Sequence, residues 1–358
     1  MNRRAWIART AALLLSPSAA RGAVPAFAPV VPGHTLRFPH DEGSHPGFRT
    51  EWWYVTGWLD AASAPLGFQI TFFRTRPHAD AGNPSRFTPS HILIGHAALS
   101  EPRHGRLRHA QRVARIGFGL AEARQGVMDI QLDQWQLTTR DGHYAARIPA
   151  VEGVGLDLRF VPTQPPLKQG TDGYSRKGPR PESASYYYSL PHLEVSGSVQ
   201  SGSERRRVSG SAWLDHEWSS EYMDPAAVGW DWIGINLDDG AAVMAFRMRG
   251  RDGSQLWAGA TIRGHSQASH SFTPEAVVWA PLRLWQSPRT GARYPVAMRV
   301  NIGETLLELE PLFDDQENDT RLTTGAVYWE GAVTAHRGGK RVGRGYLELT
   351  GYASKLRM

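Results

Sequence analysis

Two stretches of the chain place acidic side chains and a histidine among tryptophans. They are Arg49–Leu59 (RTEWWYVTGWL) and Trp213–Ser220 (WLDHEWSS). Burial beside indole rings raises the pKa of a carboxylic acid and lowers the pKa of an imidazole, which brings both toward values useful for proton transfer. The groups concerned are Glu51, Asp215, His216 and Glu217. The stretches therefore predict acid–base chemistry, and a barrel core with charged residues at its rim is the alternative.

Both stretches are predicted to be β-strands, because β-branched and aromatic residues favour extended backbone. Side chains of a strand alternate between its two faces. Alternation places Glu51 and Trp53 on one face of the first strand. In the second strand it separates Asp215 from His216 and Trp218. Each strand is thus expected to combine an acid–base group with an indole ring on one face.

Length, charge and missing motifs limit the class of protein. At 358 residues the chain is long for one core, so two domains are expected. The net charge is +6, but the run Arg205–Arg207 is predicted to lie in a solvated turn, so no nucleic-acid partner is expected. The sequence has no cysteine, no Gly-x-Ser-x-Gly elbow and no His-Glu-x-x-His motif. A thiol nucleophile, a disulfide and a thiolate metal site are therefore excluded.

The N-terminal segment 1–23 is similar to an export signal. Arg3 and Arg4 precede an apolar run and a stretch of small residues where a peptidase would cut, a pattern typical of twin-arginine signals. A basic leader without an export function is the alternative. No later segment is long and apolar enough to span a bilayer. We therefore expect a periplasmic or secreted protein with an export system as a partner.

Many short strands with glycine or proline turns predict an all-β protein built from closed antiparallel barrels or sandwiches. One amphipathic helix is expected at Leu107–Ala123. The loop Pro162–Pro181 is long, and loops of this length are usually functional or disordered. Small barrels commonly hold an apolar ligand, so a hydrophobic small molecule is the expected partner. Its cavity is expected to be lined by Trp53, Tyr54, Trp218 and Trp230.

The second half of the chain repeats the beginning of the first. Trp230–Asp238 can be laid over Trp52–Asp60 without a gap, and both are followed by a turn and another apolar strand. This match predicts a duplicated unit. We therefore expect an N-terminal domain at residues 24–221 and a C-terminal domain at residues 222–358.

Six sequence blocks resemble the signature blocks of the AttH family, the lipocalin-like proteins grouped with carotenoid 1,2-hydratase. In chain order they are EWWY (51–54), GYSRKG (173–178), SYYYSL (185–190), WLDHEWSS (213–220), GWDW (229–232) and YWEG (328–331). The resemblance extends from about Pro39 to Tyr352. It implies two tandem lipocalin-like β-barrel domains, with one or two short helices expected beside them, no metal and no organic cofactor.

The resemblance implies a hydro-lyase activity, because the family's well-defined reaction adds water across a terminal double bond of an acyclic carotenoid. Such a reaction needs a general acid, π faces for a tertiary carbocation and a base that orients water in a dry pocket. The His-x-Trp pair of the hydratases falls on His216 and Trp218. From the chemistry alone, Asp215 or Asp231 is the candidate acid, and Glu217 and Glu51 are second choices. Ligand contacts are expected from Glu51, Trp53, Tyr54, Glu217 and Trp230.

Two other functions stay open at the level of sequence. One is a non-catalytic carrier of a hydrophobic metabolite linked to an exporter, which the N-terminal signal favours. The other is a secreted hydrolase, although no nucleophile motif is visible. Convergence of the candidate catalytic residues in one pocket would distinguish an enzyme from a purely structural constellation. Those residues are Asp215, His216, Trp218 and Asp231.

Overall fold

The computed structural model describes residues 27–61, 64–77, 85, 87–264 and 268–356. Almost all regular structure in these residues is β-strand, and the helical elements are three short 3-10 turns. The turns are His40–Glu42, Pro102–His104 and Pro274–Ala276. The predicted export signal at 1–23 lies outside the described residues. Within them, no helix has the length and apolar character that a membrane crossing requires.

The first antiparallel sheet has 13 strands in the described part of the chain. They are β1 Thr50–Asp60, β2 Leu66–Thr75, β3 Ile92–Ser100, β4 Arg108–Arg115, β5 Ala121–Ala123, β6 Asp129–Leu132, β7 Trp135–Arg140, β8 His143–Val151, β9 Val154–Val161, β10 Leu167–Lys168, β11 Tyr174–Arg176, β12 Ala184–Ser201 and β13 Glu204–Ser219. Their order is β4-β3-β2-β1-β13-β12-β9-β8-β7-β6-β5, and β10 and β11 both pair with β12. Strands β3 and β4 also contact β6, so the sheet curls into a barrel.

The second antiparallel sheet has 10 strands in the same described ranges. They are β14 Gly229–Leu237, β15 Ala242–Arg249, β16 Gln255–Arg263, β17 Ser269–Phe272, β18 Val277–Gln286, β19 Arg293–Ile302, β20 Thr305–Pro311, β21 Glu317–Thr320, β22 Ala326–Arg337 and β23 Lys340–Leu349. Their order is β17-β16-β15-β14-β23-β22-β20-β19-β18, with β21 beside β22, and β16 contacts β18. The prediction of an all-β protein with two tandem antiparallel barrels is confirmed.

The two aligned sequence repeats occupy the same place in both sheets. Strand β1 lies between β2 and β13, and β14 lies between β15 and β23, so each is the first strand of its barrel paired with the second and the last. The chain passes from one sheet to the other between Ser219 and Gly229. The proposed division into domains 24–221 and 222–358 falls in this connection.

The prediction of a helix at Leu107–Ala123 is wrong. The chain forms strands β4 and β5 there. Ala110 and Ala114 face the core of the first barrel, and a spacing of four residues lies on one face of both a helix and a strand. The apolar pattern is therefore ambiguous. The segment forms a strand because Arg108–Arg115 pairs continuously with β3.

Buried apolar side chains of the described residues form three clusters. One fills the first barrel and includes Trp53 and Trp218, and a second fills the C-terminal barrel and includes Trp329. The third lies between the barrels and is rich in aromatic rings, among them Trp52, Tyr54, Trp213, Tyr222 and Trp232. The barrels therefore share an aromatic interface.

Candidate functional site

Pairing of β1 with β13 decides where the residues of the two tryptophan-rich stretches lie. Trp53 is opposite His216, and Tyr54 is opposite Asp215. Paired residues point to the same side of a sheet, so alternation produces two sets. The residues in the interior of the first barrel are Glu51, Trp53, His216 and Trp218. The residues on the side toward the second barrel are Trp52, Tyr54, Asp215 and Glu217.

Glu51 is the centre of a hydrogen-bond network inside the first barrel. Its carboxylate accepts from Arg74 Nε at 2.7 Å, from His45 Nδ1 at 2.7 Å and from His216 Nε2 at 3.0 Å. A carboxylate only accepts hydrogen bonds, so His45 Nδ1 and His216 Nε2 each carry a hydrogen. On the other side of the His216 ring, the Tyr188 hydroxyl lies 3.2 Å from Nδ1. The network thus fixes the tautomer and the orientation of His216.

Charges in this network are balanced locally. Burial disfavours ionisation of Glu51, yet the Arg74 guanidinium holds the pKa of this carboxyl well below its usual value. Burial also disfavours a charge on His45, but hydrogen bonds to Asp41 and Glu51 raise its pKa. For His216 burial prevails and lowers the pKa to about 4. The interior therefore holds a neutral His216 beside an ionised Glu51.

His45, Glu51 and His216 are also the one group of potential metal ligands found among the described residues, with ligand atoms within 4.8 Å of one another. The sequence predicts no metal here. Each of these ligand atoms already takes part in a hydrogen bond of the network, and Arg74 contacts the same carboxylate. A divalent ion would displace the shared hydrogens and lie beside a guanidinium, which is electrostatically unfavourable. We therefore treat the trio as a hydrogen-bonded network.

Indole rings hold both imidazoles in place. The His45 ring stacks on Trp218 with centroids 3.8 Å apart and an interplanar angle of 6°, and His216 stacks on Trp53 at 4.7 Å and 22°. All four rings lie on the interior side of the first barrel. His216 and Trp218 are consequently on the opposite face of β13 from Asp215.

A cleft between the barrels collects the second set of residues. Its cavity volume is about 40 Å³. Its lining consists of Trp52, Tyr54, Thr71, Phe73, Asp215, Glu217, Tyr222, Trp230, Trp232, Tyr328, Glu330 and Glu348. Strands β1, β2 and β13 supply one wall, and β14, β22 and β23 supply the other. Four carboxyl groups thus share a small space with many aromatic rings.

Asp215 and Glu217 are held on the wall of the first barrel. Asp215 accepts hydrogen bonds from Tyr187 and Ser189 at 2.5 Å each and from the Trp213 indole at 2.6 Å. Burial nevertheless raises the pKa of Asp215 to about 7. Glu217 forms an ion pair with the buried Lys177, 2.8 Å away. Burial raises the pKa of Glu217, and the Lys177 ammonium partly offsets that effect.

Glu330 and Glu348 lie on the wall of the second barrel, and neither is among the predicted site residues. Burial raises the pKa of Glu330 well above its usual value and that of Glu348 to about 7. The Tyr54 hydroxyl donates to Glu330, and the Trp230 indole donates to Glu348 at 2.8 Å. One feature of the sequence could have identified Glu330. It is a single glutamate within the apolar run AVYWEGAV of β22, where a charge has no obvious partner.

Asp231 lies inside the second barrel, on the face of β14 that points away from the cleft. Arg247 Nε at 2.6 Å and Arg249 Nε at 2.8 Å pair with its two oxygens, and the Tyr352 hydroxyl donates at 3.0 Å. Asp231 is the topological counterpart of Trp53 in the first barrel. A paired interior carboxylate of this kind is not placed to meet a molecule in the cleft.

The predicted site residues therefore divide into three places. Tyr54, Asp215, Glu217 and Trp230 meet in the cleft. Glu51, Trp53, His216 and Trp218 lie inside the first barrel, and Asp231 lies inside the second. The one cavity expected from Trp53, Tyr54, Trp218 and Trp230 is thus not formed, because neighbouring residues of a strand point to opposite sides.

Comparisons with known proteins agree with this architecture. A crystal structure of an AttH protein from Nitrosomonas europaea shares 54% sequence identity, with a TM-score of 0.85 over 91% of this chain and 100% of that chain. Kievitone hydratase from Nectria haematococca shares the fold at 14% identity, with a TM-score of 0.66 over 92% of this chain and 96% of its own. CghA in complex with Sch210972 shares it at 13% identity, with a TM-score of 0.51 over 85% and 89%.

No curated protein matches the sequence. The family model described as AttH-like, in contrast, matches residues 29–352, which include both barrels and the cleft between them. The protein belongs to the AttH-like family.

Proposed function

We propose that this protein adds water across a carbon–carbon double bond of an uncharged hydrophobic molecule in the cleft between the barrels. Glu330 is the observation that carries the proposal. It is fully buried in the cleft wall, Tyr54 donates to its Oε1, and its Oε2 has no hydrogen-bond partner among the described residues. A carboxylic acid that stays neutral in an apolar site is suited to protonate an alkene.

The proposed reaction uses two carboxyl groups in opposite roles. The Glu330 carboxylic acid transfers its proton to one alkene carbon, and the positive charge develops on the neighbouring carbon. Faces of Trp52, Trp230 and Trp232 line the cleft and stabilise that charge through their π electrons. Water then forms the new C–O bond and gives a proton to Glu217, whose ion pair with Lys177 favours the carboxylate. Return of that proton to Glu330 restores the enzyme.

The cleft also indicates the class of substrate. Among its described lining residues there is no lysine, arginine or histidine to pair with a carboxylate or phosphate of a ligand. A trisubstituted double bond gives a tertiary cation, the easiest to form, so an acyclic isoprenoid fits this chemistry. A carotenoid 1,2-hydratase-like reaction on such a molecule, in a periplasmic or secreted protein, is the specific form of the proposal. The fold shared with kievitone hydratase is consistent with it.

The test is an assay with a panel of acyclic isoprenoids that carry a terminal trisubstituted double bond, in water enriched with heavy oxygen. Wild type is expected to form an alcohol that contains the label. Glu330→Gln keeps the shape of the neutral acid but has no proton to give, so conversion should fall by about 100-fold or more while ligand binding persists. Glu308→Gln, a change on the outside of β20, is the matched control.

Two outcomes would overturn this proposal. Conversion by Glu330→Gln at the rate of wild type would show that Glu330 is not the acid. Binding of panel members without conversion by wild type would favour the carrier function, in which the cleft only holds a hydrophobic metabolite.

A further inference from the structure

The cleft between the barrels combines acids and aromatic rings without a basic residue in its lining. Four carboxyl groups line it, together with the rings of three tryptophans, one phenylalanine and three tyrosines, and none of the described lining residues is a lysine, arginine or histidine. Sites of this composition bind cations, because ring faces and carboxylates both attract positive charge. A neutral hydrophobic ligand alone requires no such excess of acids.

The protein already holds one ammonium group against this cleft. Lys177 Nζ lies 4.1 Å from the ring centroid of Phe246, 4.6 Å from that of Tyr187 and 5.4 Å from that of Tyr222. It also pairs with Glu217 at 2.8 Å. Tyr222 and Glu217 also line the cleft, so two of its lining residues already contact a cation.

The single ammonium group of Lys177 cannot balance the four carboxyl groups of the cleft. Lys177 compensates Glu217, whereas Asp215, Glu330 and Glu348 have no cationic partner among the ion pairs of the described residues. Their hydrogen bonds come from neutral donors on Tyr187, Ser189, Trp213, Tyr54 and Trp230. Burial raises the pKa of Asp215 and of Glu348 to about 7 and that of Glu330 well above its usual value, so all three acids hold protons in mildly acidic solution. A cation that enters would favour the carboxylates and release those protons.

We propose that the cleft binds a hydrophobic ammonium cation, and that binding of the cation releases a proton from the cleft acids to solvent. The inference rests on the proposed function only in that both use the same cleft. A quaternary ammonium group carries the same single positive charge on an alkylated centre as the tertiary carbocation in the proposed hydration, so it is expected to occupy the place where that charge develops. A permanently charged ligand would nevertheless bind whether or not hydration occurs.

Groups that face these acids from every neighbouring strand enter the pH dependence. They are Tyr54 on β1, Tyr187 on β12, Asp215 and Glu217 on β13, Lys177 in the segment after β11, Tyr222 before β14, Tyr328 and Glu330 on β22, and Tyr346 and Glu348 on β23. Asp231 does not face the cleft, but its charge acts on Glu348 from inside the second barrel. The tyrosines stay neutral because burial raises the pKa of each of them further. The response near neutral pH therefore comes from the carboxyl groups.

The experiment is isothermal titration calorimetry of the full protein with choline and with 3,3-dimethylbutan-1-ol, its uncharged isostere. Choline is expected to bind at least about tenfold more tightly than the alcohol at about pH 8, and to lose at least about tenfold in affinity at about pH 5.5. Titrations at about pH 6 in two buffers of different ionisation enthalpy should show release of about one proton per choline and none for the alcohol. Equal affinities, no binding of choline, or no proton release would overturn the inference.

A variant separates charge from shape. Glu348→Gln should weaken choline binding and reduce proton release, while binding of 3,3-dimethylbutan-1-ol persists and the melting temperature does not fall. Glu308→Gln, on the outside of β20, should leave choline binding unchanged. Choline binding with proton release but no hydration of any isoprenoid would contradict the proposed function alone. Hydration without choline binding would contradict this inference alone.

Discussion

At the scale of single residues, Glu51 shows how a buried charge can organise a barrel interior without meeting a ligand. Its carboxylate accepts from Arg74, His216, and both the ring and the backbone of His45. Because Asp215 and His216 are consecutive, the interior network also fixes the backbone that carries a cleft acid. We therefore regard His216 as a positioning residue for the cleft.

Removal of the Glu51 charge tests that view. Glu51→Gln leaves the buried Arg74 without its carboxylate, and loss of one partner of a buried ion pair typically costs about 3–5 kcal/mol. We expect a decrease of that size in the free energy of unfolding measured by urea denaturation. Arg299 and Glu308 form an ion pair on the surface, so Glu308→Gln should change it by less than about 1 kcal/mol. Equal effects of the two changes would contradict a central role for Glu51.

At the scale of strands, the sequence predicts faces but not partners. Alternation correctly separates Asp215 from His216, because it follows from strand geometry alone. The meeting of Trp53 with His216, and of Tyr54 with Asp215, depends on the register between strands that are far apart in sequence. Glu330 is missed for the same reason, since its partner Tyr54 lies on the other barrel. Local pattern thus gives the fold class, whereas the composition of the cleft requires tertiary pairing.

The segment before β1 is a second element that long-range contacts position. Gly43 approaches the turn between β5 and β6 so closely that a Cβ atom would lie 2.3 Å from the backbone nitrogen of Gly126. Ser44 continues this contact, because its N–H donates to the carbonyl of Arg124 at 2.7 Å. The close approach requires glycine for its lack of a side chain.

Gly43→Ala is therefore expected to displace this segment from the first barrel. Overpacking against rigid backbone should cost about 1–3 kcal/mol, and amide hydrogen exchange at Ser44 and His45 should become faster. Gly47→Ala is the control in the same segment, because its Cβ would be 3.7 Å from Ala28, an ordinary contact. Unchanged exchange in Gly43→Ala would show that the segment docks differently.

At the scale of the whole molecule, the interface between the two barrels buries acids whose ionisation opposes folding. The interface is otherwise well paired: Trp58 Nε1 donates to the Gly345 carbonyl and Trp232 Nε1 to the Tyr187 hydroxyl, both at 3.0 Å. Burial of Glu330 and Glu348 without cations opposes folding when they ionise. Residues that lower stability in this way are typical of functional sites.

The pH dependence of stability should reveal that conflict through Glu348. Burial raises the pKa of this carboxyl from 4.5 to about 7, and the charges of Asp215, Glu217 and Asp231 act in the same direction. The folded protein therefore holds the proton more tightly than the unfolded chain. The stability contributed by the neutral acid is complete below about pH 4.5 and is lost as the pH rises to about 7, by about 3 kcal/mol at about 1.4 kcal/mol per pH unit.

Glu348→Gln keeps a neutral side chain that still accepts a hydrogen bond from the Trp230 indole. The variant should therefore not lose this stability as the pH rises. Urea denaturation should give similar free energies of unfolding for variant and wild type near pH 4.5. Near pH 8 the variant should be the more stable protein by about 3 kcal/mol. A constant difference between the two proteins across this range would mean that Glu348 ionises as readily in the folded barrel pair as in water, and that the cleft does not hold its acids neutral.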